Sequence, residues 1–180
     1  REAIETLKGH GPKDFSELCM QAAEIMLMQG KVAENKEEAR KMLDEVVASG
    51  KAFETFKDMV KAQGGNVDMI ENQELLPQSK FKTEIKSEES GNVKVLHSER
   101  LGVLAMQLGA GRETKEQDVN HAVGLELACK RGDKVNKGDT ICIVYHDEEL
   151  KPQWVDELYH AFELTNEEVA PQPIIEKVLS

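Results

Sequence analysis

The chain has 180 residues, enough for one large domain or two small ones. Its 39% hydrophobic and 32% charged residues are the balance of a soluble globular protein. A net charge of −11 argues against non-specific nucleic-acid binding, which needs clustered Lys and Arg, and no apolar run approaches the roughly 20 residues that span a bilayer. The cysteines Cys19, Cys129 and Cys142 are odd in number and lack CxxC spacing, which speaks against a disulfide framework or zinc site and for a reducing cytoplasm.

The first 65 residues are helical in pattern. Arg1 to Lys8 reads as a helix broken by Gly9-His10-Gly11-Pro12. Asp14 is the expected N-cap of the next helix, with Glu17 at capping-box spacing. Phe15, Leu18, Cys19, Ala22, Ile25 and Met26 follow at helical spacing, with Gly30 as the stop. Asn35 caps a third helix with Glu38 at its third position, and Ala39, Met42, Leu43, Val46 and Val47 form its apolar face, ended by Gly50. Phe53, Phe56, Met59 and Val60 mark a fourth helix, closed by Gly64-Gly65. At these spacings the methionines are expected in the core.

The pattern changes after Pro77. Phe81, Thr83 and Ile85 alternate with Lys82, Glu84 and Lys86, a half-buried strand. Ser90-Gly91-Asn92 reads as a turn, with Val93, Val95 and His97 as the partner strand. Leu101, Leu104, Ala105 and Leu108 indicate a helix ending at Gly109-Ala110-Gly111. Val123 to Cys129 alternates again. Gly132-Asp133 and Gly138-Asp139 punctuate a loop before Thr140 to His146, a strand apolar on both faces and so expected at the centre of a sheet. Trp154, Val155, Leu158 and Phe162 mark a last helix, and Ile174 to Leu179 a final strand. The fold class is α/β (α+β), with a helical segment over residues 1–76 and a second domain over 77–180.

Several stretches, in order, resemble one enzyme family. Arg1-Glu2-Ala3-Ile4, Leu7-Lys8-Gly9 and Gly11-Pro12 look like R-E-A-I/L-x-x-L-x-G-x-G-P, continued by Glu17-Leu18-Cys19. Gln63-Gly64-Gly65 resembles A-A-Q-G-G. Leu108-Gly109-Ala110-Gly111-Arg112 and His121-Ala122-Val123-Gly124 resemble L-G-A-G-R and D/N-H-A-V-G. Gly132-Asp133-Lys134-Val135, then Lys137-Gly138, completes the set. Each motif is weak alone; together they resemble the C-terminal portion of the pyrimidine-nucleoside and thymidine phosphorylases. Nucleoside-monophosphate phosphorylases, which share that architecture, are a lesser alternative.

That resemblance implies phosphorolysis by a longer parent: phosphate attacks the sugar C1′ of uridine or thymidine, giving free base and a pentose 1-phosphate. It implies that the catalytic groups lie in an N-terminal half not present here, so no catalytic residue is carried over and the chain alone is expected to be inactive. It implies an α/β-hammerhead-like C-terminal domain that frames the active-site cleft, and a cytoplasmic homodimer. Glu2 matches the Glu that contributes an oxygen to a potassium ion in the parent. One carboxylate does not make a site, so the isolated chain is expected to bind no potassium. The simpler reading of Glu2 is a first-turn Glu complementing the helix dipole.

Gly109-Ala110-Gly111-Arg112 could be an anion loop, but it follows a helix pattern and reads better as a structural turn. His121 is the histidine of interest, with a packed, hydrogen-bonded role expected of it; His10, between glycines, and Arg112 are further candidates. A lipoyl or biotinyl carrier is the reading from another class. It fails because Met106 is followed by Gln107 rather than a modifiable Lys. A non-catalytic structural domain is the third. The helical segment is expected to expose apolar faces, to be less stable than residues 80–180 and to self-associate.

Overall fold

The computed structural model describes residues 1–112 and 114–177. Arg1–Leu76, joined by the tail from Pro173, form one unit, and Pro77–Gln172 form the other. Among the described residues no helix is long and apolar enough to cross a membrane.

The first unit is helical: α1 (Glu2–Leu7), α2 (Lys13–Gln29), α3 (Lys36–Ala48), α4 (Lys51–Ala62) and the short α5 (Asp68–Glu71), followed by a 3-10 turn at Gln73–Leu75. The α3 start follows the sequence. The Asn35 side chain accepts from the Glu38 N–H at 3.0 Å, while the Glu38 carboxylate reaches back to the Glu34 N–H at 2.8 Å. The α2 start does not. Pro12 is the N-cap, and Asp14 lies inside the first turn, its carboxylate accepting from the Phe15 N–H. Proline carries no side-chain acceptor, so the N-cap position makes no side-chain bond to the first turn.

The inside of this unit is small. Among its described residues Ile4, Ala33 and Ala39 are the buried apolar ones, and Glu24 is buried with them. The expectation that the helical segment exposes apolar faces holds on α2. Leu18, Ala22, Ile25 and Met26 are exposed, Met26 by 70%. Met59 on α4 and Val46 on α3 are exposed too, so a core role for the methionines does not hold at Met26 or Met59.

The second unit holds two antiparallel three-stranded sheets. One has the order β1 (Phe81–Lys86), β5 (Thr140–His146), β3 (Gly124–Leu127); the other β4 (Lys134–Val135), β2 (Gly91–Leu96), β6 (Phe162–Thr165). β5 is central, as its two-sided apolar pattern requires: Cys142 pairs with Ile85 on one side and Leu127 on the other. Helices α6 (Ser98–Ala105) and α7 (Pro152–His160) add Leu101, Leu104, Trp154 and Leu158 to a core shared with Ile85, Val93, Val135 and Val144.

β1 and β2 are not the hairpin that Ser90-Gly91-Asn92 suggests; they lie in different sheets. After Lys86 the chain is held by residues 138–139. The Ser87 N–H donates to the Asp139 carbonyl and the Gly138 N–H to the Ser87 carbonyl, both at 2.8 Å, and Ser87 is buried. The following residues cross to the second sheet instead of folding back. Phe162 belongs to β6 rather than to the last helix, because α7 closes at Ala161. Of the expected final strand, residues 174–177 form none and 178–180 lie outside the described residues.

Candidate functional site

The Arg1–Pro12 stretch is a one-and-a-half-turn helix followed by a tight reversal. Glu2 sits in the first turn of α1 and is exposed; its backbone carbonyl accepts from Thr6 Oγ1 at 2.9 Å. Glu5, one turn on, accepts from Gln73 Nε2 at 2.5 Å and lies 3.8 Å from His10 Nδ1, with His10 itself exposed. Gly11 explains part of the sequence pattern. A Cβ there would stand 2.6 Å from Thr6 Cα, closer than any side chain tolerates. Gly11→Ala is therefore expected to cost about 2 kcal/mol, through displacement of α1 from the start of α2. Urea unfolding followed by far-ultraviolet circular dichroism tests this; an unchanged midpoint would refute it.

A single carboxylate from α1 is a poor match to a cation that wants several oxygens. Among the described residues no group of three or more His, Cys, Asp or Glu side chains could hold a metal ion.

The strongest electrostatic cluster lies between α2 and α3 and escaped the sequence reading. Arg40 Nη1 and Nη2 donate to the two Glu17 oxygens at 2.9 Å each, and Arg40 Nε donates to the buried Glu24. The paired hydrogen bonds from Arg40, helped by one from Gln21, pull the Glu17 carboxyl from its ordinary 4.5 to about 2. The same carboxylates raise the Arg40 guanidinium further above its normal range. Glu17, read as half of a capping box, is half of a helix–helix clamp instead.

In the second unit, the glycine-rich motif after α6 is a structural turn. Met106–Ala110 widens the helix end, and Gly109 has φ +105°, which a side chain would strain. Its carbonyl accepts from the Asn120 N–H at 2.8 Å. The segment sits at a helix C-terminus, where the dipole is negative, so it is ill-suited to phosphate. Gln107 lies within this turn and not on a hairpin tip, which removes the geometry that a carrier module needs.

Arg112 is exposed. His121 is exposed as well, so the packed role expected of it does not hold. The residue before it carries the contacts. Asn120 Nδ2 donates to Asp147 Oδ2 at 2.7 Å, and Asn120 Oδ1 accepts from the Ala122 N–H. The Lys80 N–H donates to the other Asp147 oxygen at 2.7 Å, and these bonds lower the Asp147 pKa. His146 is the buried histidine: Nε2 is 2.8 Å from Thr83 Oγ1, Nδ1 is 2.6 Å from the Glu148 carbonyl, and the ring stacks on Phe81.

The Gly132 to Gly138 motif is also structural. Asp133 accepts from the Lys130 N–H and Asp139 from the Asn136 N–H, both at 2.8 Å, forming two similar turns that present Val135 to the core. Burial pushes the Cys129 thiol up to about 11 and the Cys142 thiol up to about 12, which leaves both poor nucleophiles. A groove of about 540 Å³ between α6 and α7, floored by Leu104 and Trp154, is spanned by the Arg100–Glu157 ion pair at 2.8 Å.

Comparison with known proteins accounts for these motifs. Residues 92–165 match the family described as Pyrimidine nucleoside phosphorylase C-terminal domain. The chain is 39% identical over 174 residues to the pyrimidine-nucleoside phosphorylase of Bacillus subtilis, covering 97% of this chain and 40% of that protein. It is 39% identical over 179 residues to that of Geobacillus stearothermophilus, covering 99% of this chain and 41% of the relative. It is 40% identical over 180 residues to that of Staphylococcus aureus, covering 100% and 41%. The chain thus spans about two-fifths of the length of the curated relatives it matches. With its motifs in the family's order and a domain match in its second unit, the chain is similar along its length to the C-terminal portion of pyrimidine-nucleoside phosphorylases.

Proposed function

We propose that the chain is the C-terminal part of a pyrimidine-nucleoside phosphorylase, a pentosyltransferase of nucleoside salvage. The whole protein cleaves uridine or thymidine with phosphate to give free base and pentose 1-phosphate. The observation that carries this reading is identity near 40% along the whole chain to proteins named for that activity. In this reading the catalytic groups come from the part of the relatives that the chain does not match. The second unit frames the cleft, and the 180 residues alone are inactive. The whole protein is a cytoplasmic homodimer.

Glu2, exposed in the first turn of α1, supplies one oxygen to a potassium ion in the longer protein. The other oxygens come from outside this chain. Glu2→Gln in the longer protein should raise the potassium concentration needed for activity without lowering thermal stability.

The deciding experiment is phosphorolysis of uridine and thymidine, with phosphate, by the 180-residue chain and by the full reading frame that encodes it. Release of base is expected from the longer protein only. Release of base by the isolated chain would refute its inactivity, and none from the longer protein would refute the phosphorolysis.

A further inference from the structure

The groove between α6 and α7 has an apolar floor and polar walls. Leu104 and Trp154 form the floor and are buried, and Val103, 46% exposed, forms a lip. Its volume of about 540 Å³ falls within the roughly 300–1,000 Å³ of small-molecule sites. The two cations beside it are engaged within the fold. Arg100 Nη1 donates to Glu157 at 2.8 Å, and Lys151 Nζ lies 4.6 Å from the centre of the Trp154 ring. The walls also carry one further carboxylate, Glu99, and two exposed carboxamides, Gln107 and Gln153. A phosphate or carboxylate would meet Glu99 and Glu157 and would have to break the Arg100 pair, so the chemistry disfavours an anion. Among the described lining residues none is His, Cys or Ser, so the groove suits binding and not covalent chemistry.

We propose that this groove binds an uncharged pyrimidine nucleoside. The choice of a pyrimidine among neutral, hydrogen-bonding ligands rests on the functional reading above. Each carboxamide offers a carbonyl acceptor and two N–H donors. Gln107 and Gln153 can therefore meet the acceptor–donor–acceptor edge of uracil or thymine. The sugar hydroxyls can donate to the Glu99 carboxylate, a charge-assisted bond that a phosphate oxygen cannot make. The flat ring rests on the apolar floor of Leu104, Trp154 and Val103. Every group in this argument lies on α6, on the turn that follows it or on α7, so the 180-residue chain should bind the nucleoside by itself.

Trp154, the chain's single tryptophan, reports on the groove. Its fluorescence, excited where nucleosides do not absorb, should change saturably as uridine is added to the 180-residue chain. A change that stays linear up to the solubility of uridine would overturn the proposal. Uridine 5′-monophosphate should bind at least about fivefold more weakly, because its phosphate meets Glu99 and Glu157; equal binding would also overturn it. Gln107→Leu and Gln153→Leu should each weaken uridine by about fivefold, the worth of one hydrogen bond. Both side chains are exposed, so the melting temperature should stay at the wild-type value. Unchanged affinity in both variants would place the ligand elsewhere and defeat the proposal. Assaying uridine phosphorolysis on the longer protein separates the two ideas. Activity there without saturable binding by the 180-residue chain defeats the groove alone; saturable binding without activity defeats the phosphorylase reading alone.

Discussion

Leu158→Ala should destabilise residues 77–172 by about 3 kcal/mol. Leu158 is 1% exposed on α7 and packs in the cluster that includes Val93, Val144 and Phe162. Truncation removes three buried carbons and leaves a cavity that rigid strands on either side cannot close. The effect can be read in one unit only. Trp154 is the chain's single tryptophan, is 8% exposed and lies one helical turn before Leu158. Its fluorescence should therefore follow the second unit in a urea titration, with a lower midpoint in Leu158→Ala. Leu158→Met, which nearly conserves volume, should cost less than about 1.5 kcal/mol. Equal midpoints for wild type and Leu158→Ala would refute the assigned core.

Arg40→Met should cost the helical unit about 3 kcal/mol at neutral pH. The loss of a surface ion pair would be small, but Glu24 is 5% exposed and would be left in the interior without its cation. Arg40→Met combined with Glu24→Met should recover much of the loss, because the buried charge goes with its partner. The pH dependence has a defined sign. Glu17 is held at about 2 in the folded chain against an ordinary 4.5, so its contribution is complete above about pH 4.5 and is lost as the pH falls toward 2. Wild-type helix stability should fall across that window, and Arg40→Met should be flatter there. Circular dichroism at 222 nm during acid titration reads both. Parallel curves for the two proteins would exclude the Arg40–Glu17 bond as the cause.

The contrast between the units bears on hydrogen exchange. The second unit buries a continuous core, whereas the first buries Ile4, Ala33, Ala39 and one clamped glutamate. Slower exchange is expected in β5 than in α2 to α4.

Much of this structure was legible in the sequence. Periodicity located the first four helices and β1, β2, β3 and β5, and the two-sided apolar run placed β5 at the centre. The ordered motifs pointed to the proteins that the comparison finds similar. What was not legible has a common physical origin in distance along the chain. Periodicity states which edge of α2 is apolar but not which edge is inside; that is decided by Arg40, 23 residues beyond Glu17. The alternation of β1 and β2 suits a hairpin equally well, and only the bonds from Ser87 to residues 138–139 separate them. Attention fell on His121, although its neighbour Asn120 makes the contact, with Asp147, 27 residues away. Phe162 keeps helical spacing from Leu158 and so hid the start of β6.

The pairing of β1 with β5 matters during synthesis. Phe81 has no strand partner until His146 has been made, and the neighbours in its own sheet are all later in the chain. At roughly 5–20 residues per second, β1 emerges several seconds before β5 can join it. Through that interval Ile85 and the unpaired edge of β1 are open to other nascent chains. The charged alternation of Lys82, Glu84 and Lys86 on the other side of the strand then acts as a guard against pairing with the wrong neighbour. The same residues that mark β1 as half-buried in the finished fold thus protect it before the fold exists.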